Sequence, residues 1–137
     1  RFRLEFSNAS VASAGSGFAL RMSVNGGSTF LTATSDYDGA VLDITAAGAT
    51  PSGMSAIGYI AASSGLSASF KAEGSVEWEA RAGGNGEILM SSVTNAPSQN
   101  LRVAKFYTAN GTRPTDVQIL TTSGNIAGGT FTLFGRL

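Results

Sequence analysis

Glu73, Glu77 and Glu79 stand on one stretch of the chain, in alternation with Val76, Trp78 and Ala80. Residues two apart share a face of an extended strand, which sets the Glu77 and Glu79 carboxylates about 7 Å apart. Paired carboxylates at such a separation can hydrolyse a glycosidic bond. Lys71 and Arg81 lie on the same stretch, so a solvated, charge-balanced strand face accounts for the acids more simply. Asp36, Asp38 and Asp43 could offer oxygens to Ca²⁺. The run Asp36-Tyr37-Asp38-Gly39 lacks the other ligands of a calcium loop, and aspartates at turns bond their own backbone. Gly-Gly pairs at 26–27, 83–84 and 128–129 precede no helical pattern, so no helix N-terminus is there to hold a phosphate. Serines abound, but the chain has no His and no Ser-x-x-Lys to activate one. These patterns predict no catalytic residue, no metal site and no cofactor. The aromatics offer one further chemistry, stacking on a sugar face. Trp78 is in phase with Phe70 and Val76 and is expected in the core. Tyr37 and Tyr107 adjoin polar turns and are expected to be exposed. With Asp36 and Asp38 they form the candidate ligand-binding set.

The elements that must position these residues follow from composition and period. The chain has 137 residues, 9 Lys+Arg against 9 Asp+Glu, and 42% hydrophobic residues. That suffices for one domain spanning 1–137 and argues against a disordered chain. Charged residues make up 13%, about half the usual share. A nucleic-acid binder needs a basic surplus, and there is none. There is no Cys, so disulfides and thiolate metal sites are excluded. No apolar run approaches the roughly 18 residues of a membrane helix. The start at Arg1-Phe2-Arg3, without an apolar leader or an initiator Met, predicts a fragment or a processed product.

The dominant period is two. Phe2, Leu4 and Phe6 alternate with Arg1, Arg3 and Glu5. Phe18, Leu20, Met22 and Val24 alternate next, and Asn25-Gly26-Gly27 signals a hairpin into a strand over 28–34. Asp36 to Gly39 reads as a turn, 40–45 as a strand and 46–53 as a loop. Further strands are expected over 54–62, 66–82 with a bulge or bend at Gly74, 88–93, 101–107, 117–122 and 129–134. Only the short Ala-rich stretches 9–14 and 46–49 are helix candidates. Eight to ten short strands between Gly, Asn and Ser turns predict an all-β fold, an antiparallel β-sandwich or jelly roll.

The C-terminal third carries a more specific pattern. Val103-Ala104-Lys105-Phe106 is followed by Leu120-Thr121-Thr122-Ser123-Gly124-Asn125-Ile126-Ala127-Gly128-Gly129-Thr130-Phe131-Thr132-Leu133-Phe134-Gly135. This resembles the terminal motif of many bacteriophage and prophage virion proteins, of the form "ssGni-sGtfrLYGl", with Phe134 in place of the usual Tyr. Leu4-Glu5-Phe6, the run Leu20 to Phe30 with its Asn25-Gly26-Gly27-Ser28-Thr29-Phe30, Tyr37, and the segment Ala72 to Glu77 are similar to the rest of that pattern. The resemblance implies a virion structural domain of a fibre, spike, head fibre or capsid decoration, located on the particle or outside the cell. It also implies a homotrimer that contacts other virion proteins and, in some members, host surface polysaccharide. It brings no catalytic motif.

Three functions follow, in descending order: a virion structural module, a carbohydrate-binding receptor module using Tyr37 or Tyr107, and a glycoside hydrolase built on Glu77 and Glu79. A homo-oligomer is also expected on physical grounds. Sparse charge and zero net charge give little repulsion between copies. Residues 54–68 hold no charge, so Met54, Ile57, Tyr59, Ile60 and Leu66 are the expected interface.

Overall fold

A computed structural model describes residues 1–57, 59–61, 66–67, 69–78, 86–94, 100–108 and 114–135. Ten strands run in chain order. They are β1 (Phe2–Val11), β2 (Phe18–Ser23), β3 (Tyr37–Thr45), β4 (Gly48–Ile57), β5 (Ile60–Ala61), β6 (Ala72–Trp78), β7 (Glu87–Thr94), β8 (Asn100–Thr108), β9 (Asp116–Thr121) and β10 (Ile126–Gly135). Among the described residues there is no helix, so the Ala-rich stretches are not helical. Seven strands form one sheet in the order β10-β1-β6-β7-β8-β3-β4, and three form a second, β5-β2-β9. Neighbouring strands are antiparallel throughout. This is the expected all-β sandwich. The strand order does not by itself establish the jelly-roll winding expected beside it.

Alternation builds the core. On β7 the odd positions Glu87, Leu89, Ser91 and Val93 face out, and Ile88, Met90, Ser92 and Thr94 are buried. Leu4, Phe6, Val76 and Phe106 of the large sheet meet Phe18, Leu20 and Met22 of β2 in one cluster. Trp78 belongs to it as expected, stacked on Phe2 with ring centres 5.6 Å apart. Its buried indole N–H has no hydrogen-bond partner among the described residues. Phe70 does not share this role. It precedes β6 and is half-buried, its N–H held by Ser67 Oγ at 3.1 Å in a turn.

Several elements differ from the expectation. The segment 46–53 is mostly strand: Ala46-Ala47 make a tight turn, and Gly48 starts β4, paired to β3 from Thr45↔Gly48 to Tyr37↔Ile57. Its Pro51 mimics a loop signal but is tolerated because β4 is an edge strand. The expected strand over 28–34 is reduced to a single bridge, Ser23↔Phe30. Ser23 Oγ and Asn25 Oδ1 instead accept the Gly27 and Thr29 N–H groups at 3.0 and 2.9 Å, which caps a compact turn. Asp36 to Gly39 is not a free turn, because β3 begins at Tyr37. Gly39 sits in the strand since a Cβ there would run into Lys105 O and stand 2.7 Å from the Phe106 ring. Gly74 is likewise no bulge. It pairs regularly with Ser92, and its missing Cβ leaves room for the Phe6 ring. The bulge lies opposite, on β1 between Phe6 and Ala9, where Asn8 takes a φ of 50°.

Candidate functional site

The outer face of the seven-stranded sheet, the side turned away from the three-stranded one, carries most of the residues singled out by sequence. It divides into two halves of different chemistry.

The half over β1 and β6 is charged. Arg3 pairs across the strands with Glu77, and Glu5 with Ser75. Arg1 bonds Glu77, and Arg3 lies 3.0 Å from Glu5 and 3.7 Å from Glu77. Glu77 is thus ion-paired with the two N-terminal arginines. Glu79 and Arg81 lie outside the described residues. Beside the ion pairs a shallow open depression of about 400 Å³ is lined by Arg3, Glu5, Glu73, Ser75, Thr130 and Thr132 among others. Its walls offer carboxylates, a guanidinium and hydroxyls, with the buried Phe6 as the one aromatic ring in its described lining. No group of three or more potential metal-ligating acids occurs among the described residues.

The half over β7, β8 and β3 is aliphatic. Cross-strand register places Val93, Leu101 and Ile44 in one row, and Ser91, Val103 and Leu42 in the next. Leu89 begins a third row, opposite Lys105. Leu89, Val93, Leu101, Val103 and Ile44 are all exposed. They are five of the eight large apolar side chains exposed among the described residues, and the other three lie on β10. Sequence reading missed this patch, although a signal was present. Leu42-x-Ile44 on β3 and Leu101-x-Val103 on β8 are apolar in the phase opposite to Val41 and to Ala104-x-Phe106. Strands apolar on both faces mark a sheet covered on both sides.

The candidate ligand set is split. Tyr37 is not exposed: it is 1% accessible, because it opens β3 with its side chain turned into the core. The Met22 N–H donates to its hydroxyl at 2.7 Å, and the hydroxyl donates to Leu31 O at 3.3 Å. Burial pushes its pKa up to about 12. Asp36 closes the turn ahead of β3, its Oδ2 accepting the Ala33 N–H at 2.6 Å. Asp38 and Tyr107 do come together, as cross-strand partners at one corner of the outer face. Lys105 lies over the Tyr107 ring, 5.2 Å from its centre, and 3.0 Å from Glu87. Hydrogen bonds to Tyr107 and then to Glu87 raise the Lys105 pKa above its ordinary value. One face of the ring is therefore occupied by a cation. Asp43, the third calcium candidate, is committed to Arg102 through bonds of 2.7 and 2.8 Å to its two oxygens, a bidentate ion pair.

The expected interface residues also separate. Ile60 and Leu66 are fully buried in this chain's own core. Ile60 pairs with Leu20, and the Leu66 N–H donates to Ser16 O at 2.8 Å. They are not available to a second copy. Tyr59 is half-buried. Met54 and Ile57 belong to the backbone of β4, and their side chains lie outside the described set.

No family model, no curated protein and no solved structure matches the chain.

Proposed function

We propose that this chain is a non-enzymatic structural module of a bacteriophage or phage-like particle, in a fibre, spike or capsid decoration, and that it works as a homo-oligomer. The observation that carries this reading is the aliphatic half of the outer face. Contiguous apolar patches on monomers are usually small and, when large, mark interaction sites. Here Leu89, Val93, Leu101, Val103 and Ile44 stand together over three strands, all of them exposed. The resemblance to virion proteins adds the setting, and its terminal motif corresponds to the end of β9, the turn at Thr122–Asn125 and all of β10. A threefold arrangement and a jelly-roll winding come from that resemblance alone.

Sedimentation of the isolated chain at high micromolar concentration tests the association. The expected species is an oligomer that Val103→Lys converts to monomer. A wild-type monomer that does not change with concentration overturns the reading. An antibody raised to the chain should, in addition, decorate purified particles.

Contact with a host surface glycan is the second reading. The depression over β1 and β6, with its hydroxyls and carboxylates, supports it better than Tyr107 does. Titration with host polysaccharide should show binding that is weakened at least about tenfold by Glu73→Ala and is indifferent to Tyr107→Ala. Binding that follows Tyr107 instead sinks the assignment to the depression.

A further inference from the structure

The three remaining exposed apolar side chains, Ile126, Leu133 and Phe134, all lie on β10, which forms one edge of the seven-stranded sheet. An edge strand presents a row of unpaired backbone groups, and proteins blunt such rows with charge, proline or a bulge. The opposite edge, β4, carries Pro51, which removes a donor from its middle. β10 reads IAGGTFTLFG and holds neither charge nor proline. Its first part is distorted: the register against β1 shifts between Ser7↔Thr130 and Ser10↔Gly128, and again before Val11↔Ile126. From Ser7↔Thr130 to Phe2↔Gly135 the ladder is regular, so 130–135 is the unprotected part of the edge.

We propose that Thr130–Phe134 pairs antiparallel with the same segment of a second copy, about a twofold axis through Thr132, and so joins two seven-stranded sheets into one. This register sets Thr132 opposite its own copy, Phe131 opposite Leu133, and Thr130 opposite Phe134. Each of these pairs a β-branched or aromatic residue with a suitable neighbour. On the inner side Phe131 is already anchored, 5.6 Å from Phe18 and 6.4 Å from Phe6 between ring centres. Leu133 shares that side, opposite Leu4, yet remains 54% exposed. The second copy's Phe131 would cover it and would carry the apolar core across the axis. Neither strand has a charge to oppose its twin. Five residue pairs make about 17 Å of edge in a layer about 10 Å thick. That area is well below the roughly 800 Å² per partner of a stable dimer. The edge contact is therefore weak on its own. It would act in addition to any contact through the aliphatic half, and it does not depend on where the protein resides.

The absence of cysteine allows a direct test by single-thiol trapping. Directly opposite residues have Cα atoms about 4.5–5.5 Å apart, within the range a disulfide spans. Under mild oxidation at high micromolar concentration, Thr132→Cys should give covalent dimer at least about tenfold faster than Thr130→Cys. The Thr130 positions of the two copies would be about 14 Å apart. Thr130→Cys and Phe134→Cys should each cross-link poorly alone and well when mixed. Trapping of Thr132→Cys no faster than Thr130→Cys overturns the proposal, as does a mixture no better than its components. Neither result bears on the sedimentation of Val103→Lys, so the two associations fail separately.

Discussion

On β7, Ile88 and Met90 are packed into the sandwich, while Leu89 and Val93, from the same strand and no more polar, are 42% and 47% exposed. The two faces of the large sheet are built from similar residues over β7, β8 and β3, but among the described residues only one of them is buried. The three-stranded sheet is too narrow to do more than line the inside. Burial here is thus decided by the number of strands available to each layer rather than by side-chain polarity. The apolar outer residues stay exposed once the described strands are in place, and they are the surface on which the proposed association rests. The neighbouring half over β1 and β6 makes the contrast within a single face, because there the outward Arg3, Glu5 and Glu77 are ion-paired.

The contrast between faces can be broken by substitution. Trp78→Ala on the inner face should lower stability by roughly 3–5 kcal/mol, the range for removing a large buried aromatic, as read by urea unfolding. Trp78→Phe should cost much less, since it retains the stacking on Phe2 and removes a buried donor that has no partner among the described residues. Tyr37→Phe should cost about 1–3 kcal/mol, because it leaves the buried Met22 N–H without an acceptor. This tyrosine also sharpens the comparison through pH. Its folded pKa of about 12 lies above the ordinary value of 10, so the unfolded chain ionises first. Stability due to this group is intact below pH 10 and falls as pH rises towards 12, by up to about 1.4 kcal/mol per unit. Urea midpoints at pH 8 and pH 11 should converge between wild type and Tyr37→Phe, and a constant gap counts against the burial argument. The smallest effect belongs to the outer face. Val103→Lys should change the stability of the monomer by no more than about 0.5 kcal/mol while abolishing association through the aliphatic half. A loss of several kcal/mol at low concentration would mean that the outer face is covered within the chain itself.

Strict alternation made β1 and β2 legible, because period two survives any arrangement of neighbours. The first part of β4, 48–53, was hidden because its sequence is small and carries Pro51, features that suit an edge as well as a loop. Tyr37 was misplaced because Asp36, Asp38 and Gly39 look like a turn. Yet Tyr37, Gly39 and Val41 are spaced by two, and the glycine is there for Phe106. Ile60 and Leu66 looked like interface because their segment lacks charge, which describes a core equally well. The aliphatic half was the least visible, since it depends on the register between β7, β8 and β3, which no single segment records.

β1 lies between β6 and β10, so Phe2 has Trp78 on one side and Gly135 on the other. A ribosome releases β1 first and β10 last among these strands. Until β10 arrives, Leu4 and Phe6 can find one flanking strand at most, and the Phe131 ring that closes over Phe6 and Phe18 is missing. Pairings of such long sequence separation place a protein among slow folders, on the scale of milliseconds to seconds. They also leave apolar strands open to chaperones or to misassembly while they wait. The strand that completes the sheet is also the one that remains its border, so the last step of folding and the first opportunity for one copy to meet another fall on the same ten residues.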